Sequence, residues 1–139
     1  MTVGDLARED VVTVTPETTA VDIATTLADE NVGSAVVVEG NDPVGIVTDR
    51  DLAVTVIAEG ADATTLTAID VMTGDLFTVE PTEGVFDVLA EMCDAGVRRV
   101  PVVDADGLAG ILTLDDFLVL LATELGNLAG VVESESPPY

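Results

Sequence analysis

The chain has 139 residues, 48% of them hydrophobic and only 3% aromatic, and its 27 acids face four bases for a formal net charge of −23. That length allows one compact unit, or two small repeats sharing a core. The charge excludes a nucleic-acid surface, which needs basic patches, and no apolar run approaches the roughly 18 residues of a membrane span.

The apolar positions are periodic, so the acids read as the solvated surface of a folded protein and not as a disordered tail. Self-repulsion at this density opposes compaction in dilute buffer. At molar salt the screening length falls to about 3 Å, and a protein from an organism with a high-salt interior is expected. The start, Met1-Thr2-Val3-Gly4-Asp5, has neither a basic segment nor an apolar signal core. The single Cys93 excludes an internal disulfide framework and fits a reducing cytoplasm. There is no Lys and no His, so the commonest general base and the Schiff-base amine are missing and no enzyme is expected. A metal site would have to be carboxylate-only, and no clustered spacing supports one.

Sliding the chain against itself by 65 residues aligns Thr2–Gly60 with Thr67–Leu125 without a gap. Matches such as Thr2/Thr67, Asp5/Asp70, Pro16/Pro81, Gly45/Gly110, Thr48/Thr113 and Asp51/Asp116 stay in one register, which marks an internal duplication. In each copy a short lead-in of weak helical pattern (Val3–Ala7, Ala68–Met72) precedes a strand (Val11–Val14, Leu76–Val79) that Pro16 or Pro81 ends. Thr18 and Thr82 are expected to cap the first long helix. Its buried face is expected at Ala20, Ile23, Ala24 and Leu27, and at Val85, Val88, Leu89 and Met92. Cys93 is expected to pack on that helix. Asn31 and Gly96 align, and both tolerate the left-handed cap that ends it. Ala35–Val38 and Val100–Val103 read as buried strands, Pro101 implying a missing ladder partner on one side. Turns at Glu39–Asp42 and Asp104–Gly107 lead into the strands Val44–Thr48 and Ala109–Thr113. Closing helices follow at Arg50–Glu59 and from Asp115 to Leu125 or beyond. Each copy is thus β-α-β-β-α, an α/β (α+β) fold. The limits read as repeat 1 at 1–60, a connector at 61–66, repeat 2 at 67–128 and a mobile tail at 129–139.

One stretch occurs in both copies at the join of last strand and closing helix: Gly45-Ile46-Val47-Thr48-Asp49-Arg50-Asp51 and Gly110-Ile111-Leu112-Thr113-Leu114-Asp115-Asp116. It sets a hydroxyl and a carboxylate about one turn apart where backbone N–H groups are unpaired. As purely structural groups, the Asp would be a helix cap and the Thr a strand-end hydroxyl bonded to local backbone.

With Asp70-Val71-Met72-Thr73 and Arg99-Val100-Pro101-Val102-Val103-Asp104, these motifs resemble a tandem pair of cystathionine-β-synthase (CBS) domains, a Bateman module. The resemblance covers residues 2 to about 125, and the chain reads as a stand-alone pair. It implies two pseudo-symmetric repeats packed through their sheets, with two clefts between them for adenosine-containing ligands: AMP, ADP, ATP or S-adenosylmethionine. It places Asp51 and Asp116 on ribose hydroxyls, Thr48 and Thr113 near the phosphate, and adenine near Val12, Val32, Phe77 and Val97. By the same analogy Arg99 joins Thr113 and Asp116, while Arg98 and Arg50 join Thr48 and Asp51. Guanidinium groups suit phosphate, though pairing with nearby acids is the alternative use for them. Gly33-Ser34 stand where the second copy has Arg98-Arg99, and Asp115 stands opposite Arg50, so the clefts are not equivalent.

The last helix carries Leu114, Phe117, Leu118, Leu120, Leu121, Leu125 and Leu128, wider than the stripe a single core needs. A homodimer through the closing helices is expected. The function implied is a non-catalytic regulatory sensor with an unknown protein target. The alternative is a ligand-independent scaffold with empty clefts.

Overall fold

A computed structural model describes residues 1–136. The first repeat contains α1 (Val3–Leu6), β1 (Thr13–Val14), α2 (Ala20–Glu30), β2 (Ser34–Glu39), β3 (Asp42–Thr48) and α3 (Asp49–Leu52), which continues as a π-helix over Ala53–Ala58. The second contains α4 (Ala68–Val71), α5 (Val85–Ala95), β4 (Arg99–Asp104), β5 (Gly107–Thr113) and α6 (Leu114–Glu135). Helices and sheets mix in the expected α/β manner. The first sheet runs β1-β2-β3, with β1 parallel to β2 and β2 antiparallel to β3. Its counterpart is the β4-β5 hairpin.

The first strand of the second repeat shrinks to one parallel bridge, Val79 to Val102. In the first repeat the Val36 N–H donates to the Val12 carbonyl at 2.9 Å. Pro101 stands at the corresponding place and has no N–H to give. The proline therefore removes the ladder bond that would extend the strand, as expected from its position.

Each lead-in helix packs into the other repeat's core. Val3 of α1 is fully buried with Val85, Val88, Met92, Val100, Leu112 and Phe117. Ala68 and Val71 of α4 are buried with Ile23, Leu27, Ala35, Val37 and Val47. Backbone bridges complete the exchange: Arg8 pairs with Ile111 of β5, and Thr73 pairs with Ile46 of β3. The repeats of the sequence are thus not the packed units of the fold. This exchange also gives the motif glycine its purpose. A Cβ on Gly110 would stand 2.8 Å from the Arg8 carbonyl oxygen, and one on Gly45 would run into the Met72 side chain.

The long helices end as expected, Asn31 at φ 53° and Gly96 at φ 67°. Their starts differ from expectation. Thr19, not Thr18, caps α2 by accepting from the Asp22 N–H, and Gly84, not Thr82, stands at the N-cap of α5. The Thr18 hydroxyl instead accepts from the Thr15 N–H, closing the turn before the helix. Ala24 and Cys93 are exposed, because the stripes that face the cores need only Ala20, Ile23 and Leu27, and Val85, Val88 and Met92.

The helix α6 corrects two expectations. It continues through residues 129–135, where a mobile tail was expected; residues 137–139 of that tail lie outside the described part. Gly126 and Gly130 lower helix propensity by about 1 kcal/mol each, but the next obligatory break is Pro137, which forces the residue before it out of the helix. Ser136 accordingly has ψ 133°. Continuity also joins short apolar runs into one rod that is long and apolar enough, by length and composition only, to cross a membrane.

Candidate functional site

The duplicated motif builds four helix starts of one kind. Thr2/Asp5, Thr48/Asp51, Thr67/Asp70 and Thr113/Asp116 all form capping boxes. At Thr48/Asp51 and Thr113/Asp116 each side chain satisfies the other residue's orphan N–H, whereas the Asp5 and Asp70 N–H groups donate to the Thr2 and Thr67 carbonyls. The cap role of both motif aspartates is thus present. At the end of β5, the Thr113 N–H and hydroxyl donate to Oδ2 of Asp116 at 2.8 and 2.7 Å. At the end of β3, the Thr48 N–H donates to Oδ2 of Asp51 at 2.9 Å.

The two boxes differ in what lies beyond them. Asp116 is buried, and its Oδ1 accepts from Nε of Arg8 at 2.7 Å. This is the only ion pair among the described residues. The backbone of Arg8 is tied to β5 by the Ile111 N–H donating to its carbonyl at 2.9 Å, and its own N–H donates back at 3.0 Å. In the other repeat the residue corresponding to Arg8 is Thr73, so the half-buried Asp51 faces no equivalent cation.

A cleft of about 280 Å³ opens beside Thr113. The first repeat supplies Arg8 to it, with Val11, Val12 and the Asn31–Ser34 turn. The second repeat supplies Arg98, Arg99, Thr113, Leu114 and Asp115. Of the residues singled out in the sequence, Val12, Val32, Arg98, Arg99 and Thr113 therefore meet in one place. Arg98 lines this cleft although the other was expected for it. Asp116 lies behind the wall, bonded to Arg8 and Thr113. Phe77 and Val97 pack against the core of the second repeat, and Thr48, Arg50 and Asp51 lie outside this cleft. Arg8, Asp10 and Asn31 line it without having been assigned to it. Arg8 had a signal in the sequence, as one of only four bases. The hand-over of the lead-in between repeats, which brings it here, had none.

The cleft is electropositive for this chain: three guanidinium groups face the two carboxylates of Asp10 and Asp115. Arg50, Arg98 and Arg99 form no ion pair among the described residues, despite the surplus of acids. Two arginines without a carboxylate partner among the described residues, beside a third held by one part-buried bond, form a place where an anion can be gripped in a fork.

Comparison with known proteins agrees with this architecture. Residues 3–57 and 68–123 each match the CBS domain family. The chain is 41% identical over 120 residues to an uncharacterized protein of Methanopyrus kandleri, covering 85% of this chain and 61% of that one. It is 35% identical over 117 residues to the CBS domain-containing protein YhcV of Bacillus subtilis, covering 84% and 83%. Among solved structures it resembles the CBS domain pair of protein MJ0100 in complex with 5′-methylthioadenosine and S-adenosyl-L-methionine, with TM-score 0.80, 25% identity and coverage of 89% and 98%. It also resembles a hexameric CBS-CP12 protein from bloom-forming cyanobacteria, with TM-score 0.76, 28% identity and coverage of 85% and 69%. The chain belongs to the CBS-domain family, as a tandem pair of its domains.

Proposed function

We propose that this chain is a non-catalytic regulatory sensor that binds an adenosine-containing ligand (AMP, ADP, ATP or S-adenosylmethionine) in the cleft beside Thr113. One observation carries the reading: in a chain of net charge −23, three of the four basic residues line a single cleft. Solvated arginines in such a chain would be expected beside its acids, yet Arg98 and Arg99 pair with no acid among the described residues. The arginines favour a phosphate-bearing ligand, and the solved pair that holds S-adenosyl-L-methionine supports the adenosine class. Val12 and Val32 offer apolar surface for the base. The Thr48–Asp51 cleft, without a counterpart of Arg8, binds more weakly. The protein works in the cytoplasm as a homodimer through its closing helices, and a ligand that prefers one arrangement of the repeats shifts it, so that a protein target reads the change.

Isothermal calorimetry and thermal shift at molar salt, with each of the four ligands, test this. The expected result is saturable binding with one tight site per chain. No binding of any of them by well-folded protein would refute the sensor and leave the scaffold reading.

A further inference from the structure

The helix α6 has two apolar stripes and uses one. Phe117 is buried and Leu120 packs against the second repeat's core. The other stripe is Leu114, Leu118, Leu121, Leu125, Leu128 and Val132, at intervals of four, three, four, three and four. That strict 3.5-residue period is the signature of a coiled-coil seam, in which both seam positions are apolar. Leu114 is half-buried at the mouth of the cleft, and the five members beyond it stay exposed on one protomer: Leu118 56%, Leu121 41%, Leu125 66%, Leu128 64% and Val132 65%. Leu125, Leu128 and Val132 also lie beyond residue 123, where the family match ends, so the stripe serves something the domain pair itself does not require.

We propose that this seam packs antiparallel against the same seam of a second copy. The area suffices. An exposed Leu or Val of this kind holds roughly 100 Å² of apolar surface. Ten such side chains across two copies remove about 1,000 Å², the lower bound of a specific interface. The stripe is uncharged and self-complementary, as a two-fold contact requires. A membrane surface is a poorer occupant. Helices that lie on bilayers carry Lys or Arg on their polar face, α6 has neither, and anionic headgroups repel a chain of charge −23.

Charge also sets the direction. Parallel helices would hold the two acidic bodies side by side, whereas antiparallel ones place them at opposite ends of a rod about 30 Å long and oppose the helix dipoles. With the two-fold axis near Thr123, Leu118 faces Leu128 of the second copy, and Leu121 faces its Leu125. This inference deepens the homodimer of the proposed function and is independent of any ligand.

Light scattering on the full chain after size exclusion at molar KCl, with circular dichroism to confirm folding, tests it. Leu118→Glu and Leu128→Arg are each expected to halve the mass from dimer to monomer. Combined in one chain they should restore the dimer, because only the antiparallel register brings the two new charges together. A monomeric wild type, or a dimer untouched by either substitution, would overturn the seam. Failure of the combination to restore the dimer would overturn the antiparallel register. Loss of the dimer by Val54→Glu with Ile57→Glu, while Leu128→Arg keeps it, would move the pairing to the first repeat's closing helix. That outcome overturns the seam and spares the homodimer. Sedimentation of the wild type with phosphatidylcholine vesicles, abolished by Leu128→Arg, would make α6 a lipid-binding helix and overturn the inference.

Discussion

Arg8 and Asp116, 108 residues apart in the chain, are joined by one bond of 2.7 Å between Nε and Oδ1. Arg8 follows the lead-in of the first repeat and Asp116 caps the closing helix of the second, so the bond spans the exchange of segments. A carboxylate has about four lone-pair sites. On Asp116 three are used, by Arg8 Nε, the Thr113 N–H and the Thr113 hydroxyl. One remains, and a ribose cis-diol needs two. On the proposed reading, a ribose diol would reach Asp116 only by displacing Arg8, whose side chain is 62% exposed and could turn to a phosphate.

Arg8→Ala should consequently act in opposite directions on two ligands. Adenosine, which has no phosphate, should bind more tightly because Asp116 is released. AMP should gain less, or lose, because a guanidinium is missing. A charge-assisted hydrogen bond is worth about 1.5–3 kcal/mol, so the ratio of the two affinities should move by roughly tenfold or more. Calorimetry with both ligands at molar salt measures that ratio. An equal change for both would mean that Arg8 only holds the fold.

Gly110→Ala should destabilise the fold. The added Cβ meets the Arg8 carbonyl oxygen, a backbone atom fixed by the Ile111 N–H, and overpacking of this kind costs roughly 1–3 kcal/mol. Gly126→Ala is the control. A Cβ there has nothing within 4 Å, and in an exposed helix the change should raise helicity and add up to about 1 kcal/mol. Denaturant melts followed by circular dichroism separate the two. Equal effects would remove the steric reason given for the motif glycine.

These two residues show what could be read from the sequence. The 65-residue offset, the order of elements and the left-handed caps at Asn31 and Gly96 were legible, because each depends on local chemistry or on identity between copies. Pro101 was legible for the same reason, since a missing N–H acts wherever the residue sits. What could not be read was the exchange of lead-ins. It depends on which repeat's core Val3 and Ala68 enter, and either choice satisfies the same local pattern. Arg8 goes unassigned to the cleft for that reason, and Gly110 reads only as a residue within the strand Ala109–Thr113 and not as a crossing point. The continuation of α6 was hidden by Gly126, Asn127 and Gly130, weak helix formers whose cost the neighbouring Leu, Ala and Val residues outweigh.

The lead-in cap should be sensitive to acid. The Asp5 carboxyl is held below its ordinary value, chiefly by the hydrogen bond from the Thr2 backbone N–H at 2.8 Å and then by the Thr2 hydroxyl. A carboxyl whose pKa is depressed on folding contributes stability that is present above its unfolded pKa and is lost as pH falls through the folded one. Protonation of Asp5 should therefore loosen α1, which buries Val3 in the second repeat's core. Carboxyl-carbon chemical shifts across acid pH should show Asp5 titrating below the ordinary aspartate range. Asp5→Asn should lower the melting temperature at neutral pH and flatten its decline on the acid side. A variant with the wild-type acid profile would show the box to be energetically idle.

Salt should stabilise the protein, and the shape of its effect identifies the cause. Twenty-seven acids on 139 residues repel one another more strongly in the compact chain than in the unfolded one. Screening removes that difference as the Debye length falls from about 10 Å at 0.1 M to about 3 Å at 1 M. Most of the gain in melting temperature should therefore come below roughly 1 M KCl, with little beyond. Sodium chloride should act as potassium chloride does, and sucrose should not substitute for either. A melting temperature that keeps rising linearly through several molar salt, and rises likewise in sucrose, would instead point to exclusion of cosolute from the surface. Self-repulsion would then not be the term that limits this fold in dilute buffer.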